Sequence, residues 1–344
     1  MPVKYWSFAG LLLTDWCNAE CASCYLCCSP RCGRWMEVDD AISVWRGLIA
    51  ASPHGCRVHL GGGEPFGDVE RLLMLCQRAK AEGLGPLEKV ETNAFWATGE
   101  QVVRERLGAL DAAGMGKLVI SADPYHQQFV PLERCRLAAR VAEEVLGAER
   151  VQVRWRDWLA DGFNTDELDE PRRRELFAAW AAAGRDRLNG RAAEALARDL
   201  PGEPAETYRD ETCREPLLRS RHVHVGPEGR VYPGVCAGVT LGTLGPAPAA
   251  EDVAEFWQGL YEGWDERPVL SVLACEGPFG LSRLARPAGF LPRERYASKC
   301  HLCWEVRRFL ARNGLHADEL GPRWMYEGAP GCPAPSLNPR EPRD

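Results

Sequence analysis

Between Leu11 and Leu200 short strand-like stretches alternate with longer helix-like ones, and this alternation restricts the fold more than any other feature of the chain. Strands are predicted at Leu11–Thr14, Arg57–Leu60, Lys89–Thr92, Lys117–Ser121 and Val151–Trp155. Helices are predicted at Val38–Ala51, Val69–Glu82, Glu100–Ala113, Leu132–Leu146 and Glu170–Ala183. A sixth, short strand at Arg187–Gly190 precedes a last helix at Arg191–Leu200. Repeated strand–helix units imply a parallel sheet with right-handed crossovers. The predicted fold class is therefore α/β, a partial (β/α)6 parallel TIM-like barrel. Its site belongs at the carboxyl ends of the strands.

The pattern changes near Pro201, where Gly202, Glu203 and Pro204 form a breaker cluster. His222–Val225, the turn Gly226-Pro227-Glu228-Gly229 and Arg230–Tyr232 read as a β-hairpin. The expected division is a barrel over 1–200, a small cysteine-rich α+β extension over 201–327, and an irregular tail over 328–344. A net charge of −7 argues against a nucleic-acid-binding surface. Apolar runs are too short for a transmembrane helix, so no membrane partner is expected. The apolar stretch after Lys4 has no small-residue cleavage site behind it, and the expected location is cytoplasmic. Fifteen cysteines cannot all pair, and in a reducing compartment clustered cysteines bind metals or do chemistry.

Three of them, Cys17, Cys21 and Cys24, are spaced C-x3-C-x2-C directly after the apolar run Gly10–Thr14. Three thiolates on one loop hold three corners of a cubane iron–sulfur cluster, which ordinarily takes four cysteines. The fourth iron is then open to a small chelating molecule. A glycine-rich turn, Gly62-Gly63-Glu64-Pro65, follows the second predicted strand. Glycines there let the backbone approach a ligand closely. In these two motifs the chain resembles the radical S-adenosylmethionine (SAM) enzymes.

The resemblance implies a 4Fe-4S cluster on Cys17, Cys21 and Cys24, with SAM chelating the open iron. One electron from the cluster cleaves SAM to methionine and a 5′-deoxyadenosyl radical, which abstracts a substrate hydrogen atom. It also implies a low-potential electron donor of the flavodoxin or ferredoxin type as partner. Gly62, Gly63 and Glu64 would receive the methionine ammonium. Asn93, within Glu91-Thr92-Asn93, and Ser121 and Arg154 would meet the ribose or the substrate at strand ends, with Arg156 nearby. Gly190-Arg191-Ala192 would border the adenine. For each of these polar groups a loop hydrogen bond or a surface charge is the plainer reading. One departure stands out. Ser23 occupies the place before the third cysteine where this family has an aromatic residue, and Tyr25 is the aromatic alternative.

Cys27, Cys28 and Cys32 continue the loop as buried thiols, as a hydrogen-atom donor, or as ligands of a second metal. Cys56, Cys76 and Cys135 fall in or beside predicted strands and helices and are expected in the core. Further on, Cys213, the hairpin with Gly229-Arg230-Val231-Tyr232-Pro233, Cys236, Leu241–Leu244, Phe256-Trp257 and Cys300-His301-Leu302-Cys303 follow in order. That order resembles the auxiliary-cluster extension of radical SAM enzymes, called SPASM or, in its shorter one-cluster form, twitch. It implies one auxiliary iron–sulfur cluster on Cys213, Cys236, Cys300 and Cys303. Cys275 is the main competitor, and Cys332 also lies in this region. Zinc is the alternative metal, since four cysteines bind it tetrahedrally.

The loop Ser121-Ala122-Asp123-Pro124-Tyr125-His126 is rich in functional groups. Asp123 and His126 are the catalytic candidates, binding substrate or moving a proton. The plainer reading is an Asx-type cap with a satisfied histidine. The substrate is a peptide, as in peptide maturation, or a small molecule such as a sugar, nucleoside or amino acid. The chain starts shortly before its first strand, so no fused leader-peptide-binding domain is expected. A non-catalytic iron–sulfur or zinc protein is the reading of a different class, and such a carrier has no need of the Gly62–Pro65 turn.

Overall fold

A computed structural model of the chain describes residues 3–234 and 236–327. Four strand–helix units and a fifth strand come first: β1 (Phe8–Leu12), α1 (Val38–Ala51), β2 (Arg57–Gly61), α2 (Val69–Ala81), β3 (Leu87–Thr92), α3 (Glu100–Ala112), β4 (Lys117–Ser121), α4 (Leu132–Leu146) and β5 (Val151–Arg154). Helices α5 (Arg156–Asp161), α6 (Glu170–Ala182) and α7 (Arg191–Ala195) follow. Strands β6 (His222–Val225), β7 (Arg230–Tyr232) and β8 (Gly242–Thr243) and helices α8 (Ala250–Gly263), α9 (Pro268–Ala285), α10 (Lys299–Arg312) and α11 (Trp324–Glu327) complete the chain. Among the described residues no helix is long and apolar enough to cross a membrane.

One eight-stranded sheet runs in the order β5-β4-β3-β2-β1-β6-β7-β8. The first six of these are parallel, and β7 and β8 close the edge antiparallel. The α/β partial barrel of six parallel strands is thus present. Its sixth strand is not the expected Arg187–Gly190, which forms no strand. That stretch spends its backbone elsewhere: Asn189 N–H donates to Arg187 and the Arg191 N–H to Cys24. The sixth strand is instead β6, the first arm of the expected hairpin. It pairs with β1 from Phe8↔His222 to Leu11↔Val225. The hairpin of the 201–327 region therefore continues the sheet begun in 1–200. The expected tail over 328–344, with Cys332, lies outside the described residues.

Strand alternation gives the sheet two faces of opposite character. Ala9, Leu11, Val58, Leu60, Val90, Leu118 and Ile120 are fully buried, on the side the helices cover. Helix α4 shows the matching stripe, with Leu132, Cys135, Ala138, Ala139, Val141, Ala142 and Leu146 buried at helical spacing. Each large aliphatic side chain so buried contributes about 1.5–3 kcal/mol. Cys56, Cys76 and Cys135 are buried, as expected of core thiols. The residues between them on the strands, Gly10, His59, Gly61, Lys89, Glu91, Ser121, Arg154, His222 and His224, face the concave side. A closed barrel fills this space with branched apolar side chains. Here it is polar, and the upper end of the concave face is a cavity.

Candidate active site and a second cysteine cavity

The segment from Leu13 to Met36 folds back on itself at the carboxyl end of β1. Met36 N–H donates to Leu13 (2.8 Å), Arg34 N–H to the Asp15 carboxylate (2.7 Å) and Cys17 N–H to Ser29 (3.2 Å). Within this loop a tight turn joins Cys24 N–H to the Cys21 carbonyl at 3.1 Å. Cys17, Cys21 and Cys24 come together on the wall of one 240 Å³ cavity. All three are free thiols. Ser23 and Tyr25 line the same cavity.

The Gly62–Pro65 turn docks directly on this loop. Gly63 N–H donates to Thr14 (2.7 Å) and Glu64 N–H to Trp16 (2.9 Å). A side chain at position 63 would collide with the Trp16 carbonyl, so the close approach requires glycine. Gly62 and Gly63 line the cavity, but Glu64 does not. The Glu64 carboxylate is fully buried and takes three hydrogen bonds, from Phe66 N–H (3.1 Å), the Thr92 hydroxyl (2.8 Å) and Asn93 N–H (2.6 Å). It staples the glycine turn to the end of β3. Burial pushes its pKa up to about 7, against three donors that favour the carboxylate. Glu64→Gln turns an NH2 toward one of those donors. It is expected to cost about 1–3 kcal/mol in a denaturant melt.

The remaining expected residues fall into two groups. Asn93, Ser121, Arg154, Asp123 and His126 line the cavity together with the cysteines. The Asn93 amide donates to the Cys17 sulfur (3.6 Å) and to Asn18 Oδ1 (2.8 Å). Gly190, Arg191 and Ala192, expected at the adenine, stand outside the cavity. Gly190 has φ +62° and passes against the Tyr25 backbone, where a side chain would clash. Arg191 is then placed behind the cysteine loop, donating to the carbonyls of Cys21 (3.0 Å), Cys27 (3.0 Å) and Cys28 (2.8 Å). Hydrogen bonding from Cys28 favours the Cys24 thiolate, and Arg191 adds to this against burial. Arg156 also stays outside, paired with Glu143 at 3.1 Å.

Asp123 both caps the turn and contacts His126. One carboxylate oxygen caps the turn, accepting from Tyr125 N–H and His126 N–H at 3.0 Å each. The other lies 2.7 Å from His126 Nδ1. Burial opposes protonation of His126, but Asp123 and the Cys21 thiol beside it together raise its pKa well above the ordinary value.

Glu91, expected at a strand end with Asn93, lines the cavity too, and sequence reasoning missed Trp155, Arg185 and Asp186 there. Glu91 is held by Lys89 (2.6 Å) and Arg154 (3.2 Å). Arg185 lies over the rings of Trp155 and Trp180, 4.9 and 4.2 Å from their centroids, and pairs with Asp157. Burial, then the nearby Asp123, pushes the Asp186 carboxyl up to about 6. The Arg185-Asp186-Arg187 run in the loop after α6 was the available signal.

Below the cavity, on the concave face, three imidazoles meet: His59, His222 and His224. Burial lowers their pKa values, to about 3 for His59 and about 4 for His222. They too were missed. His-x-His on a strand puts two imidazoles on one face, which was the signal.

A second cavity, of 40 Å³, lies among α9, α10 and the segment after β7. Cys213, Cys236, Cys300 and Cys303 all line it, and Cys275 is exposed and away from it. Arg307 is buried on its wall. The guanidinium donates to Ala237 O (3.0 Å), the Tyr326 hydroxyl (3.0 Å) and Asn189 Oδ1 (2.6 Å). These are neutral oxygens, and among the described residues no carboxylate pairs with it. The sulfurs of Cys303 and Cys236 lie beside it on the same cavity wall.

No family model matches the sequence, and no curated protein matches it. Among solved structures the chain is similar to BtrN in complex with AdoMet and 2-DOIA, at 16% identity over 80% of this chain and 90% of that one, with a TM-score of 0.45. It is also similar to native anSMEcpe with bound AdoMet and Cp18Cys peptide, at 15% identity over 72% and 80% of the two chains, with a TM-score of 0.39.

Proposed function

We propose that this chain is a radical SAM enzyme. The observation that carries the reading is one cavity, at the carboxyl end of a parallel sheet, that joins three free thiols to a glycine turn and an Asp–His pair. The donor set fits the implied group: Cys17, Cys21 and Cys24 would hold three irons of a 4Fe-4S cluster and leave the fourth for SAM. When bound, the cluster and SAM together supply the electron and the 5′-deoxyadenosyl radical for hydrogen-atom abstraction from substrate.

The chain's own residues do the rest. Gly62 and Gly63 present backbone at the cavity wall, and Asn93 orients the Cys17 sulfur by its amide. Arg191 ties down three carbonyls of the cysteine loop from behind. Tyr25 and Trp155 shut the cavity with aromatic surface. Asp123 fixes the His126 ring, which can hold or release a proton beside the reacting centre. His126→Ala is expected to lower product turnover roughly 100-fold while iron content stays unchanged. Wild-type turnover in that variant removes His126 from the site.

The walls that remain for a substrate carry Arg154, Arg185, Asp123 and Asp186. Such walls suit a substrate bearing hydroxyl, ammonium or carboxylate groups. Within that chemistry the reading is peptide maturation or natural-product biosynthesis. A small polar sugar, nucleoside or amino acid is the alternative, favoured by the closeness of two carboxylates and an imidazole on one wall. The quartet Cys213, Cys236, Cys300 and Cys303, facing buried Arg307, supports one auxiliary iron–sulfur cluster, with zinc the alternative occupant. A low-potential flavodoxin or ferredoxin is the electron donor in this reading, and the protein works in the cytoplasm. The test is anaerobic incubation of the iron-loaded protein with dithionite and SAM: 5′-deoxyadenosine is expected, and its absence from fully loaded, reduced protein favours a non-catalytic carrier.

A further inference from the structure

The three concave-face histidines lie outside every role given above. His59 on β2 and His224 on β6 sit in register on either side of Gly10 on β1. Their side chains rise from the same face and converge over it. A Cβ at position 10 would collide with both rings. Glycine at this central strand position therefore makes the space in which the imidazoles meet. His222, two residues before His224 on the same face, brings its Nε2 to 3.0 Å from His59 Nε2. One nitrogen from each ring lies within 4.8 Å of the other two.

The fold satisfies this group only in part, through the His59–His222 contact. His59 and His224 are 3% and 2% exposed. Neither ring nitrogen of His224 meets hydrogen-bond geometry among the described residues. Buried polar atoms are ordinarily paired, so an imidazole held unpaired between two others calls for an occupant. The surroundings resemble those of a metal centre. Glu91 Oε1 lies 3.9 Å from His59 Nδ1, on the side away from the cluster, where a carboxylate commonly orients a ligating imidazole. The Phe8 ring stacks on His59 and His222 from one side, at 4.9 and 4.7 Å between centroids. The Tyr25 ring stands 6.3 Å from His224 on the cavity side.

From this juxtaposition we infer that His59, His222 and His224 form a binding site for a divalent transition-metal ion, best matched by zinc, that pins β2 to β6 across Gly10 beneath the cavity floor. Imidazole nitrogens suit zinc, copper, nickel and ferrous iron. Zinc takes no part in redox chemistry, which suits an ion next to a strongly reducing centre. Zn–N bonds of about 2.0 Å place tetrahedral nitrogens about 3.3 Å apart. The present separations reach that value by small rotations of the rings. A water molecule completes the fourth position. His222, the partly exposed member, marks the way in.

The test is metal binding, which does not depend on SAM cleavage. Iron-loaded protein is stripped with EDTA, dialysed against zinc sulfate, and examined by elemental analysis and zinc K-edge absorption. One zinc per chain with nitrogen scatterers at about 2.0 Å is expected, in addition to any sulfur-ligated zinc at the cysteine quartet. His222→Gln and His224→Gln, at unchanged iron content and circular dichroism, should each weaken zinc retention more than about 100-fold, beyond the loss typical of residues that only support a ligand. The wild-type spectrum tests the site even if one variant fails to fold. No nitrogen-ligated zinc, or wild-type retention of it in both variants, overturns the inference. Either of these leaves the radical SAM reading standing, and a failure of SAM cleavage leaves this one standing.

Discussion

Alanine at Cys17, Cys21 or Cys24 is expected to abolish the release of 5′-deoxyadenosine from SAM and to remove about four irons per chain from reconstituted protein. The loss is to background, not a partial effect. Each thiol would hold a separate corner, and Cys28 is the further thiol that lines the cavity. Cys27 and Cys28 are close in sequence, but burial raises the Cys27 pKa to about 12, and Cys28 serves as hydrogen-bond partner to Cys24. Alanine at Cys27 is therefore expected to leave the iron in place. Iron content and 5′-deoxyadenosine, measured on the same samples by elemental analysis and chromatography, check both halves. Retention of activity in any of the three primary variants sinks the assignment of that cysteine.

Arg307→Met unloads the second cysteine cavity. In the wild type a buried guanidinium faces sulfur, with only neutral oxygens as its other partners. Such a cation is stable when the cavity holds a negatively charged thiolate centre, and that centre is stable next to the cation. Removing one member of a buried charge pair costs about 3–5 kcal/mol. Asn189 Oδ1 and Ala237 O also lose their donor. The variant is expected to lose the metal of the second cavity to a chelator while keeping the cluster on the N-terminal loop. Total iron then falls from about eight to about four per chain if the second centre is a cubane. If zinc is the occupant, one zinc is lost and iron stays near four. Arg307→Lys keeps the charge without the fork and retains part of the metal. Full metal retention in Arg307→Met contradicts the charge argument.

Local periodicity made much of the fold readable. Helices α1 and α4 begin and end where their apolar spacing says, at Val38–Ala51 and Leu132–Leu146. The first strand, Phe8–Leu12, lies earlier than expected because its pairing with β2 and β6 begins at Phe8, and beyond it the Thr14 hydroxyl donates to Arg34. The sixth strand was not readable. Its pairing joins positions 8 and 222, and no local pattern encodes a partner so far away. Arg187–Gly190 has strand-like length, but tertiary bonds to the cysteine loop and α10 take its polar groups.

The site divides in the same way. Motif spacing placed the three loop cysteines and the glycine turn, because a metal or a tight turn demands fixed residue types at fixed separations, whereas the C-terminal quartet came from the family resemblance. It assigned Glu64 and Arg191 to the cofactor, whereas their side chains brace the loops around it. Arg185, Asp186 and the three histidines carry no such spacing rule. They become visible once the strands are in register and Gly10 is seen between two imidazoles.

The account rests on one iron that the polypeptide leaves open to SAM. Electron–nuclear double resonance on dithionite-reduced protein, lacking the C-terminal quartet and given SAM labelled at its amino nitrogen and carboxylate, tests this most directly. Hyperfine coupling from both labels to the cluster is predicted. A cluster signal indifferent to SAM, with no coupling to either label, would contradict it.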